Sequence, residues 1–177
     1  MFVVIAVIVS AALVGVDQFT KYLAFEYLPE EGDYVTVIDG VLRFTHVENT
    51  GAVFGSFANH TAILTVFSLV LLAGAIFLLA TNKSRSKLIN ICLLLMISGG
   101  IGNIIDRIRL GFVVDFIEPT FINFAVFNFA DCLITVSAAL LIGYLIYDFV
   151  KDAKKNKSAA NVIEKDLNTT ENDNGAE

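Results

Sequence analysis

Five polar residues that could carry out chemistry lie at the ends of two apolar segments of this sequence. They are Asn103, Asp106, Asp115, Asn128 and Asp131. Placing a carboxylate or amide beside hydrocarbon costs free energy, because neither water nor a hydrogen-bonding partner is necessarily within reach. Helix capping explains one or two such residues, since Asn and Asp cap helices well, but it does not explain the whole set. We therefore interpret residues 99–131 as a candidate site at a membrane surface.

Paired carboxylates are the chemistry that this set offers. Two aspartates that share a proton can activate water with one member and protonate a leaving amine with the other, because adjacent like charges separate their pKa values. The sequence has no serine-hydrolase, zinc-protease or nucleotide-binding motif, and its cysteines, Cys92 and Cys132, lack a metal-ligand spacing. We expect neither a metal nor a cofactor. A non-enzymatic membrane carrier, with the carboxylates as a cation or proton site, is the alternative.

The composition is that of a membrane protein. Of 177 residues, 56% are hydrophobic and 17% are charged, and the mean hydropathy is +0.72. Soluble domains are closer to half apolar and a quarter charged. The net charge of −6 and the lack of a basic stripe with interleaved aromatic residues give no indication of nucleic-acid binding.

Four apolar segments predict four transmembrane helices. They cover residues 2 to about 27, 61–81, 88–105 and 127–147. The first uncharged run, residues 2–16, would reach only about 22 Å as a helix, so it must continue past Asp17 to cross a bilayer of about 30 Å. Asp17 and Lys21 then share one helix face. They form either a self-neutralising pair or part of the site.

Residues 33–57 follow a different pattern, typical of β-structure. Two β-rich runs, 34–38 and 41–47, are joined by Asp39-Gly40, which is a hairpin turn signal. His46 and His60 are isolated, and we expect both in loops. The predicted fold is an all-α membrane protein of four transmembrane helices with a small β-rich extracytoplasmic lobe. The membrane domain covers residues 1–150, and a polar cytoplasmic tail, 151–177, is expected to be disordered.

The basic residues predict the orientation in the membrane. Lys83, Arg85 and Lys87 lie between the second and third segments, and four lysines follow the fourth segment within residues 151–157. The positive-inside rule places both groups, and therefore both termini, in the cytoplasm. Topology alone then brings the candidate polar residues to the outer membrane face.

Five sequence motifs occur in a fixed order along the membrane portion. They are D-Q-x-T-K at 17–21, N-x-G-A-x-F at 49–54, G-G-x-x-G-N-x-x-D-R at 99–107, V-V-D-F at 113–116 and F-N-x-A-D at 127–131. Together they resemble the signature motifs of the bacterial lipoprotein signal peptidases (signal peptidase II). The resemblance implies a metal-independent aspartic endopeptidase of the plasma membrane. Such an enzyme removes the signal peptide of a prolipoprotein just before a cysteine that carries diacylglycerol.

The resemblance also implies roles for individual residues. The catalytic pair would be Asp115 and Asp131. The residues implied or expected to support substrate binding or the pair are Asp17, Lys21, Asn49, Gly51, Asn103, Asp106, Arg107 and Asn128. Implied partners are diacylglyceryl-prolipoprotein substrates and membrane lipids, and we expect a monomer. Residue types and spacing by themselves do not choose the substrate, nor Asp115 over Asp106.

Overall fold

The computed structural model describes residues 2–51, 61–81 and 86–174, with the backbone alone at residues 2, 3, 61 and 157–174. Residues 52–57 of the predicted lobe, His60, and the basic residues Lys83 and Arg85 lie outside the described residues. By contacts the chain divides into two compact units, Met1–Ala138 and Ala139–Glu177. All the candidate site residues belong to the first unit.

Four helices carry the membrane-spanning part of the chain. They are α1 (Phe2–Tyr27), α2 (Thr61–Thr81), α3 (Lys87–Arg109) and α4 (Phe129–Asn174). Each contains a stretch long and apolar enough to cross a membrane, so the prediction of four spans is confirmed. In α2, the side chains of Val66, Phe67 and Val70 are each more than half exposed. Such exposure is expected where lipid is the solvent, because lipid solvates apolar side chains and leaves backbone polar groups to pair within the helix.

The tail differs from the sequence prediction. We expected residues 151–177 to be disordered, whereas α4 continues without a break to Asn174. The physical reason is visible in the sequence, because no glycine or proline occurs between Tyr144 and Asn174. Five lysines and three alanines, which are good helix formers, also lie in this range. Within this helix the candidate membrane span is Phe129–Asn156.

A three-stranded antiparallel sheet forms the β-rich lobe, with strand order β1-β2-β3. Its strands are β1 (Tyr34–Ile38), β2 (Leu42–Asn49) and β3 (Val113–Pro119). The predicted hairpin is confirmed, and Gly40 adopts the positive φ of 67° that its turn requires. The third strand, which contains the V-V-D-F motif, was not predicted. Its pairing of Asp115 with Val47 places that aspartate in the sheet.

The sheet packs on α1 through a small apolar core. Ala24 of α1 is buried against Val114 and Phe116 of β3. His46 lies on β2 rather than in the loop that we expected, and it is 1% exposed. Its ring meets the ring of Phe25 edge-on, with centroids 5.2 Å apart. These contacts fix β3, and with it Asp115, relative to the end of α1.

Two glycines allow the close approach of α1, α3 and the start of α4. A Cβ atom at Gly99 would overlap the carbonyl oxygen of Ala130, and one at Gly102 would overlap the carboxylate of Asp17. Small residues permit this approach between helix backbones in membranes. A hydrogen bond of 2.8 Å between the hydroxyl oxygens of Ser10 and Ser98 also joins α1 to α3.

This packing predicts the effect of adding a methyl group. We expect Gly99→Ala to lower the free energy of unfolding by about 1–3 kcal/mol, because the obstructing atom belongs to backbone. The matched control is Gly74→Ala in α2, where a Cβ meets nothing within 4 Å and the helix gains up to about 1 kcal/mol. Thermal melting of both purified proteins in the same detergent measures the difference. Equal melting temperatures would contradict the packing described.

Candidate active site

The ten predicted site residues come from five places in the chain and meet in one region. Asp17 and Lys21 belong to α1, Asn49 is the last residue of β2, and Gly51 follows that strand. Asn103, Asp106 and Arg107 belong to α3, and Asp115 lies in β3. Asn128 precedes α4, and Asp131 lies in the first turn of α4. Nine of them are joined by the hydrogen bonds and ion pairs given below. Arg107 is close enough to Asp106, Asp115 and Asp131 for its charge to interact with theirs.

Asp115 is buried in β3 and is 1% exposed. The amide of Asn49 donates to its Oδ2 at 2.7 Å, and the amide of Asn128 donates to its Oδ1 at 2.6 Å. Burial first, and the neighbouring charge of Asp131 second, raise the pKa of Asp115 to about 7. Since a raised carboxyl pKa favours the protonated form, Asp115 is suited to hold a proton near neutral pH.

Asp131 takes part in a capping box at the start of α4. The side-chain oxygen of Asn128 accepts from the backbone N–H of Asp131 at 2.9 Å. In return, Oδ2 of Asp131 accepts from the backbone N–H of Asn128 at 3.3 Å. The three-residue spacing in F-N-x-A-D is therefore the spacing that a reciprocal cap requires. The helix N-terminus also favours a negative charge at this position.

Asn103 joins the two aspartates to the rest of the site. Its Oδ1 accepts from the Lys21 ammonium at 2.8 Å and from the amide of Asn128 at 3.2 Å. An ammonium has donors and no acceptor, so the amide nitrogen of Asn103 must point the other way. It donates to Oδ1 of Asp131 at 2.8 Å. Each of the four carboxyl oxygens of Asp115 and Asp131 thus receives one N–H donor.

Lys21 lies between two buried carboxylates. Its ammonium is 2.9 Å from Asp17 and 2.9 Å from Asp106, and Asn103 takes its third donor. Asp17 also accepts from the backbone N–H of Ala130, at 2.9 Å, and Asp106 accepts from that of Val114, at 3.3 Å. The pair of Asp17 and Lys21 is therefore both self-neutralising and connected to the site. Asp106 ties the end of α3 to β3, as expected of a structural aspartate.

Sequence reasoning did not select Gln18, which belongs to this region. Its amide donates to Oδ1 of Asp106 at 2.9 Å and to the carbonyl oxygen of Gly102 at 3.2 Å. The available signal was its place in D-Q-x-T-K, next to one buried carboxylate at the end of an apolar run.

Within the described residues, the Nε of Arg107 is buried and has no hydrogen-bond partner.

The same described ranges contain no group of three or more His, Cys, Asp or Glu side chains arranged to hold a metal ion. Metal-independent chemistry thus stays a prediction. The geometry supplies a buried carboxyl, on Asp115, and a half-buried one, on Asp131, both held by amides. Beside them lie the half-buried Arg107 and the ion pairs of Lys21. That arrangement can share a proton and activate water.

Comparison with known proteins gives consistent results. Residues 9–147 match the family model described as signal peptidase (SPase) II. A protein of Enterococcus faecalis named lipoprotein signal peptidase is 37% identical over 158 residues, covering 89% of this chain and 97% of that protein. One of Caldanaerobacter subterraneus with the same name is 44% identical over 142 residues, covering 80% and 94%.

Solved structures agree with the sequence comparison. A bacterial membrane enzyme determined by the in meso method at 2.3 Å resolution has a TM-score of 0.79 and 27% identity, covering 84% of this chain and 92% of its own. A second, at 1.9 Å, has a TM-score of 0.75 and 27% identity, covering 84% and 96%. With its four apolar helices, the chain is a multi-pass bacterial membrane protein that belongs to the signal peptidase II family of peptidases.

Proposed function

We propose that this protein is an aspartic endopeptidase that removes the signal peptide from prolipoproteins, cutting just before a diacylglyceryl-modified cysteine. The observation that carries this proposal is the pair formed by buried Asp115 and half-buried Asp131, with one N–H donor on each carboxyl oxygen. The family membership and the name lipoprotein signal peptidase carried by the relatives support the substrate class. We expect the enzyme to act as a monomer in the plasma membrane.

The two aspartates take different roles because their surroundings differ. Asp131 lies at a helix N-terminus, which favours negative charge, and acts as the base that removes a proton from water. The resulting hydroxide oxygen bonds to the scissile carbonyl carbon. Asp115, whose pKa is raised to about 7 by burial and by the charge of Asp131, gives its proton to the leaving nitrogen as the C–N bond breaks. The proton on Asp131 then restores the shared state of the pair.

The supporting residues hold this pair and receive the peptide. The backbone N–H of Gly51 donates to Oδ1 of Asn49 at 3.0 Å, which turns the Asn49 amide toward Asp115. Arg107 has a buried Nε with no hydrogen-bond partner within the described residues, so we assign it to a backbone carbonyl of the substrate. The lipid on the substrate cysteine stays in the bilayer between helices. Lys21 keeps Asn103 oriented throughout.

The orientation proposed for the membrane places the sheet outside and both termini in the cytoplasm. In a background with Cys92→Ala and Cys132→Ala, a cysteine at Asp39 should react with an impermeant thiol reagent only from outside the cell. One at Lys155 should react only after the membrane is opened. The reverse labelling pattern would overturn both the orientation and the location of the site.

Asp115→Asn and Asp131→Asn should each reduce cleavage by at least about 10²–10⁴-fold, because each removes one member of the acid–base pair. The double variant should lose little more than either single variant, since the residues act as a unit. The assay is cleavage of a diacylglyceryl-prolipoprotein in proteoliposomes, with the same substrate lacking its lipid as comparison. A cation or proton carrier predicts no cleavage by the parent protein.

Asp106→Asn is the matched control for these variants. Removing the charge of Asp106 weakens its ion pair with the buried Lys21 ammonium. Loss of one partner of a buried ion pair lowers the free energy of unfolding by about 3–5 kcal/mol. We expect less folded protein but measurable turnover in each folded molecule. Near-normal turnover by Asp115→Asn, with none by Asp106→Asn, would identify Asp106 as the partner of Asp131 instead.

The pH dependence of cleavage should be bell-shaped, with limits that belong to the pair. Because the pKa of Asp115 is about 7, the rate should fall as pH rises through that value and the acid loses its proton. The Asn49 hydrogen bond lowers this pKa, so Asn49→Ala should move the alkaline limb to higher pH. A limb that moves to lower pH in this variant would contradict the role given to Asp115.

A further inference from the structure

A groove unrelated to the carboxyl pair runs along α1. Its larger part is a cavity of about 890 Å³ between α1, α2 and α3, of the size of sites that hold small ligands. The lining is almost wholly apolar and includes Val7, Ala11, Val14 and Gly15 of α1. A Cβ atom at Gly15 would meet nothing within 4 Å, so the groove is open at this point.

The groove continues into a polar cavity at one end. This second cavity has a volume of about 190 Å³ and is lined by Tyr22 and Phe25 of α1 and by Arg109 of α3. The ion-paired side chains of Lys21 and Asp106 line it as well. Gln18 lines both cavities. The residues Val7, Ala11, Val14, Gln18, Tyr22 and Phe25 follow each other at spacings of three or four, so they form a single stripe on α1. The two cavities are therefore one groove with an apolar part and a polar end.

The length of the apolar part matches one leaflet of a bilayer. Val7 and Gln18 are eleven residues apart in α1, which corresponds to about 16 Å at about 1.5 Å per residue. Half of a hydrocarbon core of about 30 Å is about 15 Å. An occupant that is apolar over one leaflet and polar at its end has the dimensions of a phospholipid.

Arg109 gives the polar end its charge. Within the described residues it forms no ion pair, and its one hydrogen bond is a 3.5 Å contact with the Oε1 atom of Gln18. The nearby Asp106 carboxylate does not compete for a ligand, because its oxygens already accept from Gln18, Lys21 and the backbone of Val114. The exposed guanidinium is suited to an anionic phosphodiester.

The apolar part of the groove lies on the opposite side of α3 from the carboxyl pair. On α3 it is lined by Asn90, Leu94, Ile97 and Ile101. The residues that face the site, Gly99, Gly102, Asn103 and Asp106, are offset from these by about half a turn of helix. Neither Asp115 nor Asp131 is among the residues that line the two cavities.

We propose that the groove holds one anionic phospholipid of the bilayer, with an acyl chain along α1 and its phosphodiester at Arg109. This site contains neither carboxyl of the catalytic pair, and the proposal does not depend on the proposed reaction. The lipid fills the space between α1 and α2 that no side chain among the described residues fills.

The test is native mass spectrometry of the full-length protein, delipidated in detergent and titrated with dioleoylphosphatidylglycerol. The parent protein should retain one molecule and should prefer it to dioleoylphosphatidylcholine. Gly15→Leu places a side chain in the groove and should weaken retention about tenfold, since each displaced methylene is worth roughly fourfold. Gly74→Leu, at an open position outside the groove, should retain the lipid as the parent does.

Two further measurements make the proposal falsifiable. Arg109→Gln should remove the preference for the anionic lipid, and Arg109→Lys should keep most of it. Equal retention by Gly15→Leu and Gly74→Leu would overturn the site, as would an unchanged preference in Arg109→Gln. One-for-one displacement of the phospholipid by a diacylglyceryl-prolipoprotein would assign the groove to the substrate and overturn its proposed occupant.

Discussion

The ammonium of Lys21 is the group on which the rest of the site depends. Its three donors go to Asp17, Asp106 and Asn103 at 2.8–2.9 Å, and it is 3% exposed. The acceptors lie on α1 and α3, and their other bonds reach the backbones of β3 and α4. A buried charge that lost one of these partners would be left uncompensated. The four elements are therefore held at fixed distances from one cation.

The carboxylates of this arrangement fall into two groups by their partners. Asp17 and Asp106 each form an ion pair with the Lys21 ammonium at 2.9 Å. Asp115 faces amides and another carboxyl, and its pKa rises to about 7. Asparagine side chains can donate to a carboxyl without neutralising it, so they position Asp115 and Asp131 while leaving a proton free to move. Three asparagines, Asn49, Asn103 and Asn128, perform this task from three different elements.

The sequence was informative where one physical requirement dominated. A helix in lipid must be apolar along about 20 residues, so the uncharged run 61–81 predicted α2. The turn at Asp39-Gly40 predicted the hairpin because its backbone needs a glycine. Strand β3 was missed because V-V-D-F-I has no alternation of polar and apolar residues, both of its faces being covered. The choice between Asp106 and Asp115 depends on which one meets Lys21, and that contact is not visible in residue types or spacing.

The capping box of α4 links backbone order to the position of a proton. Oδ2 of Asp131 accepts a hydrogen bond from the backbone N–H of Asn128 at 3.3 Å. The carboxyl that acts as the base in the proposed reaction is therefore also part of the N-terminal cap of α4. A protonated carboxyl is a weaker acceptor than a carboxylate. In the proposed reaction, protonation of Asp131 therefore weakens the hydrogen bond that holds the Asn128 N–H at the start of α4, so proton transfer and order in the first turn of α4 are linked.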